Sequence, residues 1–95
     1  MFARIVTGSI DPGRLNEAIR LWRDSVAPSV KQQEGFISAR LLVQRTSGKI
    51  LSMGLWKSEA DVKRSVEWNQ GQINKFAGLF TASPLVEQYE VAAEA

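Results

Sequence analysis

Residues 36–56 read FISARLLVQRTSGKILSMGLW. Two runs rich in β-branched, aromatic and aliphatic residues, Phe36 to Arg45 and Lys49 to Trp56, flank Thr46-Ser47-Gly48. That turn cluster contains a Ser-Gly dipeptide, and the pattern predicts a β-hairpin. A two-residue loop at Ser47-Gly48 or a four-residue loop at Thr46 to Lys49 sets Arg45 opposite Ile50. From this register Ala39, Leu41 and Val43 share a face with Ser52, Gly54 and Trp56. Arg40, Leu42 and Gln44 share the opposite face with Leu51, Met53 and Leu55. Both faces are substantially apolar. Helices cover only one of them, so the second is expected to pack on another sheet, most simply the same face of a second copy of the chain.

Upstream of the hairpin, Phe2 to Thr7 mixes β-branched and aromatic residues and is closed by Gly8, which predicts a first strand. Asp11-Pro12-Gly13 marks the start of a helix. Leu15, Ala18, Ile19, Trp22 and Val26 then fall at helical spacing, with Arg14, Glu17, Arg20 and Arg23 facing the other way. Pro28 donates no backbone N–H and disfavours a helical Ala27, so a kink or break is expected there, before Val30 to Gln33, and Gly35 supplies a stop. Downstream, Ser58 with Asp61 three residues on is an N-cap signature for a helix carrying Val62 and Val66, which Gly71 is expected to interrupt. A further helical stretch holds Ile73, Phe76, Ala77 and Phe80. Pro84 ends it before a last strand, Leu85 to Val91, and Ala92 to Ala95 form a frayed tail. The order strand, helix, strand, strand, helix, strand is the ferredoxin-like βαββαβ arrangement. It is an α+β fold with a four-stranded antiparallel sheet and both helices on one face.

At 95 residues the chain is limited to one domain, residues 1–95. A chain this short buries only about 60–65% of its unfolded surface, which again favours an oligomer. It has no cysteine and no histidine. A disulfide framework, a thiolate metal site, a cysteine nucleophile and histidine-based acid–base chemistry or ligation are therefore ruled out, and no metal or cofactor is expected. The 12 basic residues are spread among 10 acidic ones rather than clustered, which argues against a nucleic-acid partner. RNA binders of this topology carry stacking aromatics on the central strands, whereas Lys49 to Trp56 is aliphatic except at Trp56. The apolar N-terminal run is too short for a signal-peptide core, and no run approaches the ~20 apolar residues of a membrane span. The expectation is a soluble, cytoplasmic protein with no membrane partner.

On the Ser52, Gly54, Trp56 face small residues lie beside one large ring. If helices cover that face, Trp22, Val62, Val66, Phe76 and Phe80 roof a hollow, giving an apolar pocket for a small molecule. The same aromatics at helical spacing also suit an ordinary core. Tyr89 is the only phenol and thus the one candidate for a hydroxyl acid at such a site. Glu87 and Glu90 lie on opposite faces of the last strand and do not form an acid–base pair. Arg40, on the second hairpin face, needs a partner, either a carboxylate within the chain or across a subunit interface or an anionic ligand. No Gly-rich phosphate loop follows a strand.

FARIVTGSIDPGRLNEAIRLWRDSVAPSVKQQEGFISARLL, KILSMGLWKSEAD and the closing PLVEQYEV resemble the antibiotic-biosynthesis-monooxygenase-like domains of the dimeric α/β-barrel superfamily. The landmarks are the long first helix with Pro28, the Gly35-Phe36 strand opening and the Leu55-Trp56-Lys57-Ser58 junction. The resemblance implies a homodimer whose two sheets pack into a barrel, with a cavity in each protomer between sheet and helices. Family activities include cofactor-independent oxidation of aromatic polyketides, quinol oxidation and haem degradation. In the polyketide oxidases a tryptophan at the end of the third strand helps form the cavity, and Trp56 matches it. The asparagine four residues earlier corresponds to Ser52, and the tyrosine six residues later to Val62. Haem degradation by the usual ligation needs a helix histidine that this chain lacks, and Val6 stands near the assisting first-strand asparagine. The implied function is oxygen-dependent oxidation of a small phenolic or quinol substrate, with Trp56 and Ser52 positioning the ring and Tyr89 or an arginine handling charge. The alternative is a non-catalytic dimer that binds a small aromatic ligand or serves as a stress or pathway accessory protein. No catalytic residue is assigned.

Overall fold

The alternation of β-branched and aromatic side chains in FARIVTGS forms β1, Phe2–Ser9, in a computed structural model that describes residues 1–95. Asp11 opens the next element by accepting a hydrogen bond from the Gly13 N–H at its Oδ1, 2.8 Å away, and a tight turn over Pro12–Arg14 leads into α1, Leu15–Leu21. The helix then widens over Trp22–Val26, where the Ala27 N–H reaches the Trp22 carbonyl five residues back, before α2, Ala27–Val30. The break expected at Pro28 is therefore a widened turn just before it. Pro28 falls in the first turn of α2, where a missing N–H costs no hydrogen bond, and the chain stays helical to Val30.

β2, Phe36–Gln44, and β3, Lys49–Trp56, form the hairpin, with Gln44 opposite Lys49 and Val43 opposite Ile50. The loop is Arg45 to Gly48, and the register differs by two residues from the one expected. Side chains alternate with period two, so an even shift leaves every residue on its expected face. The loop is set by Gly48. It adopts φ +79°, its N–H donates to the Gln44 carbonyl at 2.9 Å, and a Cβ there would collide with the Ile10 backbone carbonyl.

Ser58 caps α3, Glu59–Arg64, by accepting from the Asp61 N–H at 3.2 Å. The second helical region is interrupted at Ser65, not at Gly71. Ser65 leaves the helical conformation at φ −90° and ψ 4°, and its hydroxyl donates to the Val62 carbonyl at 2.8 Å. Gly71 sits inside α4, Val66–Lys75, on the solvent side, where its low helix propensity is tolerated. Phe76 to Phe80 is a non-helical turn region that ends in an Ile10–Phe80 bridge, and β4, Leu85–Glu90, completes the chain.

The sheet order is β2-β3-β1-β4, antiparallel throughout, with the helices on one face, as the order of elements predicts. The core under the helices falls into two clusters. Ile10, Leu15, Ala18, Val26, Ile50, Phe76 and Leu79 form one, and Val30, Trp56 and Val62 the other. No helix is long and apolar enough to cross a membrane.

Candidate functional site

A half-open cavity of about 60 Å³ is walled by members of both core clusters, among them Val26, Ile50 and Phe76 from the first and Val30 and Trp56 from the second. Its floor is the helix-facing side of the sheet and its roof is the helical layer, and 12 of its 17 lining residues are hydrophobic. All three tryptophans of the chain contribute to the wall.

Each indole is placed by a local cause. Trp56 ends β3, and its six-membered ring folds back over Gly54, where a Cβ would lie 2.5 Å from Cζ3. The Phe36 ring stands edge-on to it at 6.0 Å. Gly54 therefore does not leave an empty hollow, because the indole occupies that space. Trp22 is the first residue of the widened turn, and its Nε1–H donates to Ser52 Oγ at 3.0 Å. Trp68, on α4, donates through Nε1–H to Ser29 Oγ at 3.0 Å, and the Ser25 hydroxyl donates to Gln72 Oε1 at 2.9 Å. These bonds tie the widened turn, through Ser25, and α2, through Ser29, to α4 across the roof.

Arg4 also forms part of the wall. Its side chain leaves β1 opposite Gly54, where no side chain competes for space, and its guanidinium carbon lies 5.0 Å from the Trp56 ring centroid. The residue is 2% exposed. One Nη2–H donates to the Val62 carbonyl at 2.6 Å, while Nη1 has no partner, and Arg4 takes part in none of the ion pairs of the chain. Burial holds its pKa below the usual arginine value. The neighbouring Trp56 Nε1 is likewise buried without an acceptor. No group of three or more carboxylate, histidine or cysteine side chains lies together to hold a metal ion.

Of the residues singled out in the sequence, Trp22, Ser52, Gly54, Trp56, Phe76 and Phe80 line the cavity. Val62 does not. It is fully buried behind Trp56 and Val30. Val66 is 47% exposed and off the cavity, because the interruption at Ser65 changes the phase of the helix and turns Trp68 and Gln72 inward instead. Tyr89 is not a pocket residue. It pairs with Ala3 on the far side of the sheet, is 48% exposed, and donates to Glu87 Oε2 at 2.7 Å. That hydrogen bond raises its pKa above the usual phenol value, with smaller contributions from burial and the Glu87 charge. Arg4, Trp68 and Gln72 were not anticipated. The readable signal for Arg4 is a single charge in a strand whose two faces, Phe2 and Val6 against Ala3 and Ile5, are both apolar.

Arg40, Leu42, Gln44, Leu51, Met53 and Leu55 all lie on the face away from the helices. The registers arrange that face in cross-strand rows. Leu42, Leu51, Thr7 and Leu85 form one, Arg40, Met53, Ile5 and Glu87 the next, and Ser38, Leu55, Ala3 and Tyr89 the third. Arg40 forms no ion pair within the chain.

A four-stranded antiparallel sheet with helices packed on one face, and a cavity between the two layers, defines a ferredoxin-like α+β domain. A family model described as antibiotic biosynthesis monooxygenase matches residues 1–70, and the chain belongs to that family. Sequence relatives include two uncharacterised proteins of Mycobacterium tuberculosis. Rv2557 is 29% identical over 93 residues, 98% of this chain and 42% of that protein. Rv2558 is 28% identical over 92 residues, 97% of this chain and 39% of that protein. The chain thus spans less than half the length of these relatives. Among solved structures, a monooxygenase of Streptomyces coelicolor, ActVA-Orf6, in complex with nanaomycin D superposes with a TM-score of 0.75 at 18% identity, covering 99% of this chain and 89% of that one. A Nitrosomonas europaea protein of unknown function gives 0.80 at 17% identity, covering 99% and 91%. At these identities the likeness is one of fold.

Proposed function

We propose that the cavity binds a small phenolic or quinol substrate and that the domain oxidises it with dioxygen, without a resident cofactor. The observation that carries this reading is an indole-lined cavity at the sheet–helix interface of a chain in the monooxygenase family. The substrate supplies the electrons. A phenol with a free para carbon loses its O–H and para C–H hydrogens and gains one oxygen atom there, giving a quinone, while the second oxygen leaves as water. A quinol gives quinone and hydrogen peroxide. Trp56 and Trp22 hold the ring, Ser52 keeps a hydroxyl hydrogen to donate while its oxygen accepts from Trp22, and Arg4 rather than Tyr89 handles charge.

Size limits the substrate. An enclosed cavity of about 150 Å³ accepts benzene, so a half-open one of about 60 Å³ suits a single ring that extends into its mouth. A fused tricyclic ring system exceeds this volume and requires the helical layer to move off the sheet. Oxygen uptake by the purified protein over a panel of phenols and quinols tests the reading. Saturable uptake is expected, falling by about a hundredfold in Trp56→Ala as the ring loses its position. Uptake at the buffer rate for every substrate, unchanged by that substitution, refutes catalysis.

A second reading, ligand binding without turnover, is favoured by one observation: Val62, which the resemblance matches to a tyrosine, is buried off the cavity, so that position brings no phenol to a reacting oxygen. In that case tryptophan fluorescence responds saturably to an aromatic ligand and no product forms. In either case we propose that the open, apolar sheet face joins two copies of the chain into a homodimer, supported by the exposure of Leu42 and Leu85 at 51% and 58%.

A further inference from the structure

We infer that Arg4 and Trp56 together form an anion-recognition point, so that the ligand is a small ring conjugated to an anionic oxygen, a carboxylate or a phenolate. The inference rests on the cavity being a small-molecule site, and it specifies which small molecule. A buried guanidinium is ordinarily matched by a carboxylate, because stripping water from an unpaired charge is costly. Arg4 is 2% exposed and has no such match. The Val62 carbonyl and the Trp56 ring occupy part of it, and Nη1 remains free. Trp56 Nε1 is a second buried donor with no acceptor, on a side chain in contact with the first.

Arg4 and Trp56 both line the cavity, and their two orphaned donors, enclosed in this structure, meet an acceptor there once these side chains shift; the positive charge of one makes that acceptor anionic. Apolar walls and indoles on the remaining sides describe a flat, apolar body. A neutral hydrocarbon ring would leave both donors unsatisfied. An aliphatic acid would satisfy the donors but not the aromatic walls.

Isothermal titration of the wild-type protein with two matched pairs tests this without a variant: benzoate against benzamide, and 4-nitrophenolate against 4-nitroanisole at mildly alkaline pH. The anion of at least one pair is expected to bind about tenfold or more tightly than its neutral partner. Which pair shows the preference separates carboxylate from phenolate. Arg4→Met, which exchanges a buried charge for a side chain of similar reach, is expected to retain the neutral ligand and abolish the preference, with its folded state checked by circular dichroism. Equal affinities within both pairs, or a preference that survives in folded Arg4→Met, overturns the inference while leaving the small-molecule site intact. Failure of all four ligands to bind overturns the site and the inference together.

Discussion

Gly54 allows Trp56 to lie back along β3, and Arg4 then stacks on the indole from β1. Adding a methyl group at this point forces the ring out of place, so Gly54→Ala is expected to cost about 1–3 kcal/mol and to alter the near-UV circular dichroism of the tryptophans. Unchanged spectra and stability would contradict the placement. On the other side of the sheet the Tyr89 phenol, held above its usual pKa by Glu87, should return toward it in Glu87→Gln, read as tyrosinate absorbance during alkaline titration. Much of the cavity was readable at this scale, since strand parity alone groups Ser52, Gly54 and Trp56. Arg4 was not, because a charge in a strand reads as solvent-facing until the pairing with Gly54 shows that space is reserved for it. Tyr89 was singled out for its chemistry alone, and its register with Ala3 removes it from the cavity.

The helical layer differs from its sequence expectation through two local devices. The widened turn before Pro28 absorbs the missing N–H, and the Ser65 interruption rotates α4 relative to α3. A single helical period drawn through Val62 and Val66 is carried across that interruption, which is why Val66 and Trp68 exchange roles. Gly71 now sits in open space, with nothing within 4 Å of an added Cβ. Gly71→Ala is therefore expected to stabilise the fold by about 0.5–1 kcal/mol, a rise of several degrees in Tm. Ser58→Ala removes the α3 cap and should cost about 1 kcal/mol, a fall of about 4–8 °C. The Asp61 carboxyl is held below the usual carboxylate range, mainly by its hydrogen bond from Arg64 and then by that from Ser58. Its folded pKa lies below its unfolded one, so its contribution is present above the unfolded value and is lost as pH falls through the folded value. Tm measured from neutral to strongly acidic pH should fall less steeply in Asp61→Asn than in the wild type.

For the whole molecule, the two-sided hairpin connects the fold to the proposed homodimer. The three cross-strand rows place Leu42, Leu51, Met53, Leu55 and Leu85 on the face that the helices do not cover. This much was readable in advance, and the two-residue difference in register did not disturb it, because parity survives an even shift. Leu51→Asp or Met53→Asp is expected to turn a dimeric sedimentation profile into a monomeric or unfolded one, and a wild-type monomer at micromolar concentration would contradict the assembly. The function proposed for the cavity is tested most directly by oxygen consumption of the purified wild-type protein across single-ring phenols and quinols. The expected result is saturable uptake with stoichiometric quinone, lost in Trp56→Ala. Uptake indistinguishable from buffer for every substrate, in wild type and variant alike, would contradict it.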